Sequence, residues 1–258
     1  MGSTECGPVL YWPEGPAPRR PKPDEIHVWA SVLRSEAEDV RRVQGWLSPG
    51  PAQVAARLRH ARDRTRYILA QAFLRDVLAG YLNCLPGKVP LTAGLHGKPV
   101  LADSGESMAF NLSHSESVAL LAVTSGCEVG VDTELIREDP NWLRVAEQLF
   151  SPREKAILAA LPETERLESF FACWTRKEAL VKLTGVGLGT ALDGFSVEVS
   201  LEAAEPRLVG QKLEVGALPA DDKQEHYSLH SLYPAPGYIA AVAVNGLARH
   251  LRLWSYRP

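Results

Sequence analysis

The stretch Gly130-Val131-Asp132-Thr133-Glu134 constrains the fold most, because it joins a buried strand to two acidic residues. Val129 and Val131 are typical of a buried strand, and side chains alternate between the two faces of a strand. Asp132 and Glu134 are therefore predicted on one face, where like charges repel unless a cation lies between them. Oxygen ligands of this kind suit Mg²⁺, which keeps several waters and is commonly shared with substrate phosphates.

A third carboxylate is predicted to come from a helix. The segment 174–182 has a helical pattern that puts Trp174, Glu178 and Lys182 on one face, at i, i+4 and i+8. Two acids from a strand, with an acid and a lysine from a helix, would form a metal-assisted phosphate site. Taken one at a time, the same residues have an ordinary alternative. Asp132 and Glu134 would then begin a solvated loop, and Glu178 would pair with Lys182 on a helix surface.

A third motif is Asn111-Leu112-Ser113-His114-Ser115. The neighbouring Ser113 and His114 raise the question of a serine hydrolase. Adjacent residues of an extended segment project to opposite faces, and the chain has no G-x-S-x-G nucleophile elbow, so this class is not favoured. Two interpretations of His114 stay open, a strand-end donor to a phosphate and a hydrogen-bonded structural histidine.

Taken in order, these motifs resemble those of phosphopantetheinyl transferases, and the long, single-chain, Sfp-like kind fits best. The resemblance rests on Phe110 to Ser115, Gly130 to Glu134, and Trp174 to Ala179 with Lys182, and extends from about Asp63 to Phe195. It implies transfer of the 4′-phosphopantetheine group of coenzyme A to a serine of an acyl or peptidyl carrier protein, with release of 3′,5′-ADP. Carrier proteins of fatty acid, polyketide, peptide and siderophore synthesis all fit this expectation.

The resemblance also implies roles for individual residues. Mg²⁺, or Mn²⁺ in its place, is expected at Asp132, Glu134 and Glu178. Glu178, as the base or through a water that it orients, and Lys182, on the pyrophosphate, are the expected catalytic residues. The residues expected to bind coenzyme A are Arg66, Lys98, Ser113, His114, Lys177 and Lys182.

Several of these assignments leave an alternative open. Lys177 would contact a phosphate or form an ion pair that holds Glu178. Glu154 matches a family position near the site, but the capping pattern that begins at Ser151 explains it equally well. Pro51 and Val54 stand where relatives carry basic residues for the 3′-phosphate. Arg57, Arg59 and Arg62 would substitute for them, within an arginine-rich run that also includes Arg64 and Arg66.

The predicted fold class is α+β. Two pseudo-symmetric halves are expected, each a small, mainly antiparallel sheet packed on a long helix, with the active site in the cleft between them. The chain would divide into a proline-rich arm (1–24), an N-terminal half on the coenzyme A side (25–125) and a C-terminal half on the metal and catalytic side (126–258). The pattern predicts long helices at Ala52–Leu82 and Glu163–Thr184, and strands that include Ile26–Leu33, Gly194–Val199 and Leu251–Tyr256.

The composition indicates which classes of protein this chain does not belong to. With 45% hydrophobic residues, 23% charged residues and a net charge of −3, the chain has the composition of a globular protein and does not predict a broad nucleic-acid surface. No apolar run approaches a membrane span. The cysteines at 6, 84, 127 and 173 lack metal-ligand spacing, so a cytoplasmic protein with reduced thiols is expected. Because both halves lie in one chain, a monomer is expected.

Two other functions use the same motifs. A Mg²⁺-dependent phosphodiesterase or pyrophosphatase would hydrolyse coenzyme A or a related nucleotide with the same carboxylates. A non-catalytic module would bind coenzyme A or a carrier protein without reaction. For the transferase, the carrier protein is expected to dock on Leu135 to Phe150, where Arg137 and Arg144 accompany apolar side chains.

Overall fold

The computed structural model describes residues 8–34, 37–94, 97–102, 108–185, 192–201, 227–246 and 250–257. The helices in this part of the chain are α1 (Ala37–Gln44), α2 (Pro49–Arg57), α3 (Ala61–Leu82), α4 (Trp142–Leu149), α5 (Pro152–Ala160) and α6 (Glu163–Thr184). The strands are β1 (Glu25–Val32), β2 (Leu91–Ala93), β3 (Pro99–Leu101), β4 (Met108–Ser115), β5 (Val118–Ser125), β6 (Val129–Leu135), β7 (Tyr227–Leu232), β8 (Tyr238–Asn245) and β9 (His250–Ser255).

The described strands form two main sheets and a hairpin. The first sheet has the order β4-β5-β1-β9 and the second has the order β6-β8-β7, while β2 and β3 pair with each other. Neighbouring strands are antiparallel except for β1 and β9, which are parallel. The two sheets therefore present β4 and β6 as edge strands.

The two sheets pack face to face between two long helices. In β5, Leu120 and Ala122 belong to the core between the sheets, whereas Leu121 and Val123 pack beneath α3. A strand covered on both faces must be apolar throughout, which explains its continuous hydrophobic sequence. The second sheet is covered in the same way by α6. The layers are thus α3, first sheet, second sheet and α6, and the predicted α+β class with a long helix on each sheet is confirmed.

The predicted helix at Ala52–Leu82 is wrong, because the chain turns between α2 and α3. Leu58 and His60 have extended backbone angles and separate the two helices. The turn lets Ala55 pack in the same small core cluster as Ile68. In a continuous helix these two residues would be about 20 Å apart along the axis, so that cluster would not form.

The predicted strand Gly194–Val199 is also wrong. Leu192–Gly194 is a 3₁₀ turn, and the residues after it are irregular. Their backbone groups bind side chains instead of a neighbouring strand. The amide of Val197 donates to Glu154, and the carbonyl of Glu198 accepts from Arg176.

The last strand does not belong to the half that sequence order assigns to it. β9 lies within the predicted C-terminal half, 126–258, but pairs with β1 in the first sheet, in register from Glu25 opposite His250 onward. Trp254 of β9 packs against Trp29 of β1, with ring centroids 4.9 Å apart. The N-terminal sheet is therefore completed by the C-terminal end of the chain.

The proline-rich arm is docked on the fold from residue 8 onward, and residues 1–7 lie outside the described part of the chain. Trp12 packs against the core between the sheets, whereas the Tyr11 side chain is exposed and its amide donates to the carbonyl of Pro234. Among the helices of the described residues, none combines the length and the hydropathy that a membrane crossing requires.

Candidate active site

The site lies where the edge strands of the two sheets face each other, β4 from the first and β6 from the second. Alternate residues of β4 point toward β6. The Val131 amide donates to the Asn111 side-chain oxygen at 2.8 Å, and the Leu135 amide donates to the Ser115 hydroxyl at 3.2 Å. Polar side chains, not a backbone ladder, thus join the two edges. The sequence alone gives Asn111 and Ser115 no role of their own. The alternation of side chains along β4 becomes informative only once β6 is known to lie beside it.

The same face of β4 binds the carboxylates of β6. The Ser113 hydroxyl donates to Asp132 Oδ1 at 2.9 Å, and the Ser115 hydroxyl donates to Glu134 Oε2 at 2.6 Å. Asp132 and Glu134 therefore lie on one face of the strand, as their spacing predicts. The alternative of a solvated loop is wrong, because Asp132 is buried and both residues belong to β6.

A close backbone contact brings α6 against β6. A Cβ atom on Gly130 would lie 2.0 Å from the Ala179 carbonyl oxygen and 2.4 Å from the Leu183 nitrogen, so a larger residue does not fit there. This contact puts Lys182 beside the strand carboxylates. Its Nζ lies 2.6 Å from Asp132 Oδ1 and 3.0 Å from Ser113 Oγ. The alternative of a Glu178–Lys182 pair on a helix surface is wrong, because Glu178 is buried.

Three carboxylates share this corner. Burial is the main cause that raises the pKa of Asp132, Glu134 and Glu178. The negative charges of Asp132 and Glu134 raise the pKa of Glu178 further, whereas Lys182 opposes the shift. Ser115 opposes the shift of Glu134, and Lys182 and Ser113 oppose that of Asp132. The site thus concentrates negative charge that it only partly neutralises.

Two carboxylate oxygens in the described residues are buried without a hydrogen-bond partner, Asp132 Oδ2 and Glu178 Oε1. Unpaired buried oxygens are costly, and a divalent cation would satisfy them and relieve the repulsion. The residues therefore fit such an ion chemically. Within the described residues, no group of three or more acidic, histidine or cysteine side chains is arranged as a metal site.

His114 lies on the opposite face of β4 from Ser113 and is solvent-exposed. Partial desolvation of its ring lowers its pKa, and the positive charges of Lys182 and Arg66 lower it further. Beside it, Glu116 at the β4–β5 turn receives three guanidinium groups. They come from Arg66 at 2.7 Å, Arg137 at 3.0 Å and Arg62 at 3.3 Å. Three cations around one carboxylate leave a surplus of two positive charges next to the carboxylate corner.

Lys98 lies at the far end of the β6–α6 contact. Its ammonium group contacts Glu128 at 3.1 Å, the Val129 carbonyl at 3.2 Å and the Leu183 carbonyl at 3.4 Å. The side chain is 14% exposed. Lys98 therefore joins the β2–β3 hairpin to the C-terminal end of α6, and is not a free cation in a loop.

Lys177 is not at the site. Its ammonium group is fully buried and lies 2.7 Å from Glu154 Oε2 and 2.7 Å from the Phe195 carbonyl. The predicted contact of Lys177 with a phosphate is therefore wrong, and so is the alternative ion pair with Glu178. Consecutive helix residues point about 100° apart, so Lys177 and Glu178 face different layers. Glu154 forms the predicted capping box with Ser151 and is also the partner of Lys177.

Comparison with known proteins gives a consistent result. The family model described as "4′-phosphopantetheinyl transferase superfamily" matches residues 128–243, a range that contains β6, α6 and most of β8. The chain is 33% identical over 235 residues to the 4′-phosphopantetheinyl transferase HetI of Nostoc sp., covering 90% of this chain and 93% of that protein.

Two shorter matches carry the same activity in their names. The chain is 29% identical over 162 residues to the 4′-phosphopantetheinyl transferase Sfp of Bacillus subtilis, covering 63% of this chain and 70% of that protein. It is 40% identical over 131 residues to the 4′-phosphopantetheinyl transferase AcpT of Salmonella typhimurium, covering 50% of this chain and 64% of that protein.

Proposed function

This chain belongs to the 4′-phosphopantetheinyl transferase superfamily, and we propose on that basis that it transfers the 4′-phosphopantetheine group of coenzyme A to a serine of a carrier protein. The observation that carries this proposal is the corner where Asp132, Glu178 and Lys182 meet. The pyrophosphate of coenzyme A is anionic and repels a nucleophile. A cation-binding carboxylate set beside a lysine is the arrangement that offsets such repulsion.

The groups that would hold Mg²⁺, or Mn²⁺ in its place, are Asp132, Glu134 and Glu178. Their oxygens are the ligand type that Mg²⁺ prefers, and two of these oxygens are buried without a partner. Burial raises the pKa of all three groups, and a bound cation would oppose that shift. When bound, the metal would neutralise charge on the pyrophosphate and on the departing phosphate.

Lys182 supplies a second positive charge. An ammonium group has three donor hydrogens, and two of them are directed at Asp132 and Ser113. The third remains for a phosphate oxygen, and the side chain is 29% exposed, so a substrate can reach it. Asp132 and Ser113 thereby hold the ammonium group in place before the substrate arrives.

Glu178 is the candidate base for the serine proton. Because Oε1 is one of the oxygens left for the metal, Glu178 would accept the proton through its other carboxylate oxygen or through a water that it orients. In the metal-free protein, burial and the neighbouring carboxylates raise the pKa of Glu178. The serine hydroxyl, a poor nucleophile while it keeps its proton, would react as that proton moves to Glu178.

The phosphates of coenzyme A would be held on both sides of β4. Arg66 and His114 are the candidates for the 3′-phosphate, and the surplus positive charge around Glu116 supports this assignment. Ser113 and Lys98 are candidates at the pyrophosphate and adenine ends. Lys98 would exchange its Glu128 contact for the nucleotide, and Lys177 has no part in binding.

The carrier protein, of the acyl or peptidyl type, would dock on α4 and the residues before it. Arg137 and Arg144 are exposed there and suit an acidic partner surface. The Leu143 side chain is 55% exposed and would contact the partner directly. Phe150, at the other end of the segment, is fully buried and supports α4 from below.

We further propose a cytoplasmic monomer. Both sheets and both long helices come from one chain, so a second copy is not required to complete the corner. The cysteines in the described residues, Cys84, Cys127 and Cys173, are free thiols, as in a reducing compartment. Light scattering tests the oligomeric state, and a stable trimer would contradict the proposal.

The test of function is intact mass spectrometry of an apo carrier protein incubated with this protein, coenzyme A and Mg²⁺. We expect a gain of one phosphopantetheine, loss of the gain in EDTA and its return with added Mg²⁺ or Mn²⁺. Glu178→Gln should slow the gain by about 10²–10⁴, whereas the exposed, distant Arg153→Ala should not. Cleavage of coenzyme A without modification of the carrier would favour the hydrolase. Coenzyme A binding without either reaction would favour a binding module.

A further inference from the structure

A cavity of about 490 Å³ lies at the edge of the first sheet that is farthest from the carboxylates. His27 and Trp29 of β1 and Trp254 of β9 contribute to its walls, together with the arm. β4, which carries Ser113, is the opposite edge strand of the same sheet, with β5 and β1 between it and β9. The cavity is therefore separate from the candidate active site, and its volume suits a small organic ligand.

The arm closes this cavity through fixed contacts. Gly15 packs so closely on the Trp29 ring that a Cβ atom there would lie 2.1 Å from it. The Gly15 amide donates to the Ser255 carbonyl at 3.0 Å, and the Ser255 amide donates to the Pro13 carbonyl at 2.7 Å. Farther along, Pro18 packs against Gly80 of α3. The wall of the cavity is thus a docked part of the fold.

A chain of hydrogen bonds, in which each group donates to the next, forms the floor of the cavity. Trp29 Nε1 donates to the Tyr81 hydroxyl at 2.8 Å, so the hydroxyl proton of Tyr81 is free to go to His27 Nδ1, also at 2.8 Å. His27 then carries its own proton on Nε2, which faces Glu25 Oε2 at 3.4 Å. Burial lowers the pKa of His27 despite Glu25, so its ring is neutral near pH 7. This floor adds no positive charge to the cavity.

The rim of the cavity carries surplus positive charge. Its cationic side chains are Arg19, Arg20, Lys22 and Arg252. Glu25 is the acid among the lining residues, and it is engaged by Arg252 at 3.2 Å and by the Lys22 amide at 3.2 Å. Without counting Arg20, three cations and one carboxylate leave two positive charges. In the described part of the chain, Arg19 and the Lys22 ammonium form no ion pair, so an anion would be their first partner.

We propose that this cavity binds a phosphomonoester that carries a flat ring, with the size of a mononucleotide. The half-buried Trp254 indole, whose ring centroid lies 4.8 Å from that of the buried His27 ring, offers an aromatic surface for the ring. The guanidinium and ammonium groups of the rim match phosphate oxygens in geometry and charge. Surplus positive charge disfavours a cationic ligand, and the aromatic wall gives a ringed phosphate an advantage over phosphate alone.

The test is calorimetric titration with uridine 5′-monophosphate, and with uridine and inorganic phosphate as its two parts. We expect one binding event in the wild-type chain, with each part binding more weakly than the whole. The double variant Arg19→Ala/Lys22→Ala changes two exposed side chains and should fold normally. It should lose about ten- to a hundredfold in affinity, whereas the matched control Arg153→Ala should bind as the wild type does.

Lys182→Ala distinguishes binding in the cavity from binding at the carboxylate corner. It should leave the affinity for uridine 5′-monophosphate unchanged. Lack of heat with the wild-type chain up to about 1 mM nucleotide would overturn the proposal. So would wild-type affinity in the double variant, or a loss of binding in Lys182→Ala. Inorganic phosphate that binds as tightly as the nucleotide would overturn the assignment of a ringed ligand.

Discussion

Replacing Lys177 by methionine tests whether this lysine stabilises the fold or binds the substrate. In the wild-type chain, the side chains of Lys177 and Glu154 are both 0% exposed and their charged atoms are 2.7 Å apart. Lys177→Met keeps a similar length and removes the charge, so Glu154 stays buried without its cation and the Phe195 carbonyl loses a donor. Breaking a buried pair in this way costs about 3–5 kcal/mol.

The loss should be visible in unfolding experiments. In a chain of this size it corresponds to a fall in Tm of roughly 6–20 °C. Urea unfolding followed by circular dichroism gives the free energy directly.

Two further variants make the result decisive. Adding Glu154→Gln to Lys177→Met replaces the unpaired carboxylate with a neutral amide and should recover part of the stability. Lys155→Met is the matched control, because Lys155 lies in the same region but is 31% exposed and 3.6 Å from Glu147. It should change stability by less than about 1 kcal/mol. Near-wild-type stability of Lys177→Met together with a raised KM for coenzyme A would refute the structural role.

Three other predictions follow from the same geometry. Glu178→Gln should raise the Tm of the metal-free protein. The raised folded-state pKa of Glu178 makes the wild type lose stability as pH rises above the unfolded pKa of about 4.3. A gain in Tm that persists at low pH in differential scanning calorimetry would contradict this. Gly130→Ala should reduce both stability and transfer, because its Cβ would meet the α6 backbone at 2.0 Å; wild-type Tm and rate would show that the contact can relax. Arg144→Glu should raise the KM for the carrier protein in steady-state assays and leave coenzyme A affinity unchanged, and unchanged values of both would move docking elsewhere.

The local parts of the site could be predicted from the sequence because they depend on short-range spacing. Asp132 and Glu134 share a face because strands alternate, and Lys182 follows Glu178 by one helical turn. The same reasoning failed for Lys177, because its partner Glu154 lies 23 positions earlier and on another helix. Charge and helical phase alone did not distinguish a phosphate contact from a buried ion pair.

The long-range parts of the fold had no comparable signal. β9 alternates exposed and half-buried residues like any edge strand. Nothing in its sequence predicts that β1 is the strand with which it pairs. The break between α2 and α3 is similarly hidden, because the helical period continues on both sides of Leu58. What decides that break is the contact of Ala55 with the cluster around Ile68, a tertiary interaction that overrides the local pattern.

The arrangement of β4 against β6 also explains why the serine motif and the acidic motif occur together. Ser113 binds one oxygen of Asp132, and Ser115 binds one oxygen of Glu134. Each hydroxyl fixes the rotamer of its carboxylate. For Asp132 the second oxygen, Oδ2, is left buried and without a partner. An orienting hydrogen bond of this kind is what a ligand carboxylate needs before a metal arrives, since a carboxylate free to rotate would lose entropy on binding. In the proposed reaction, the motif on β4 would therefore act through the carboxylates of β6, and His114, on its other face, would be available to the nucleotide.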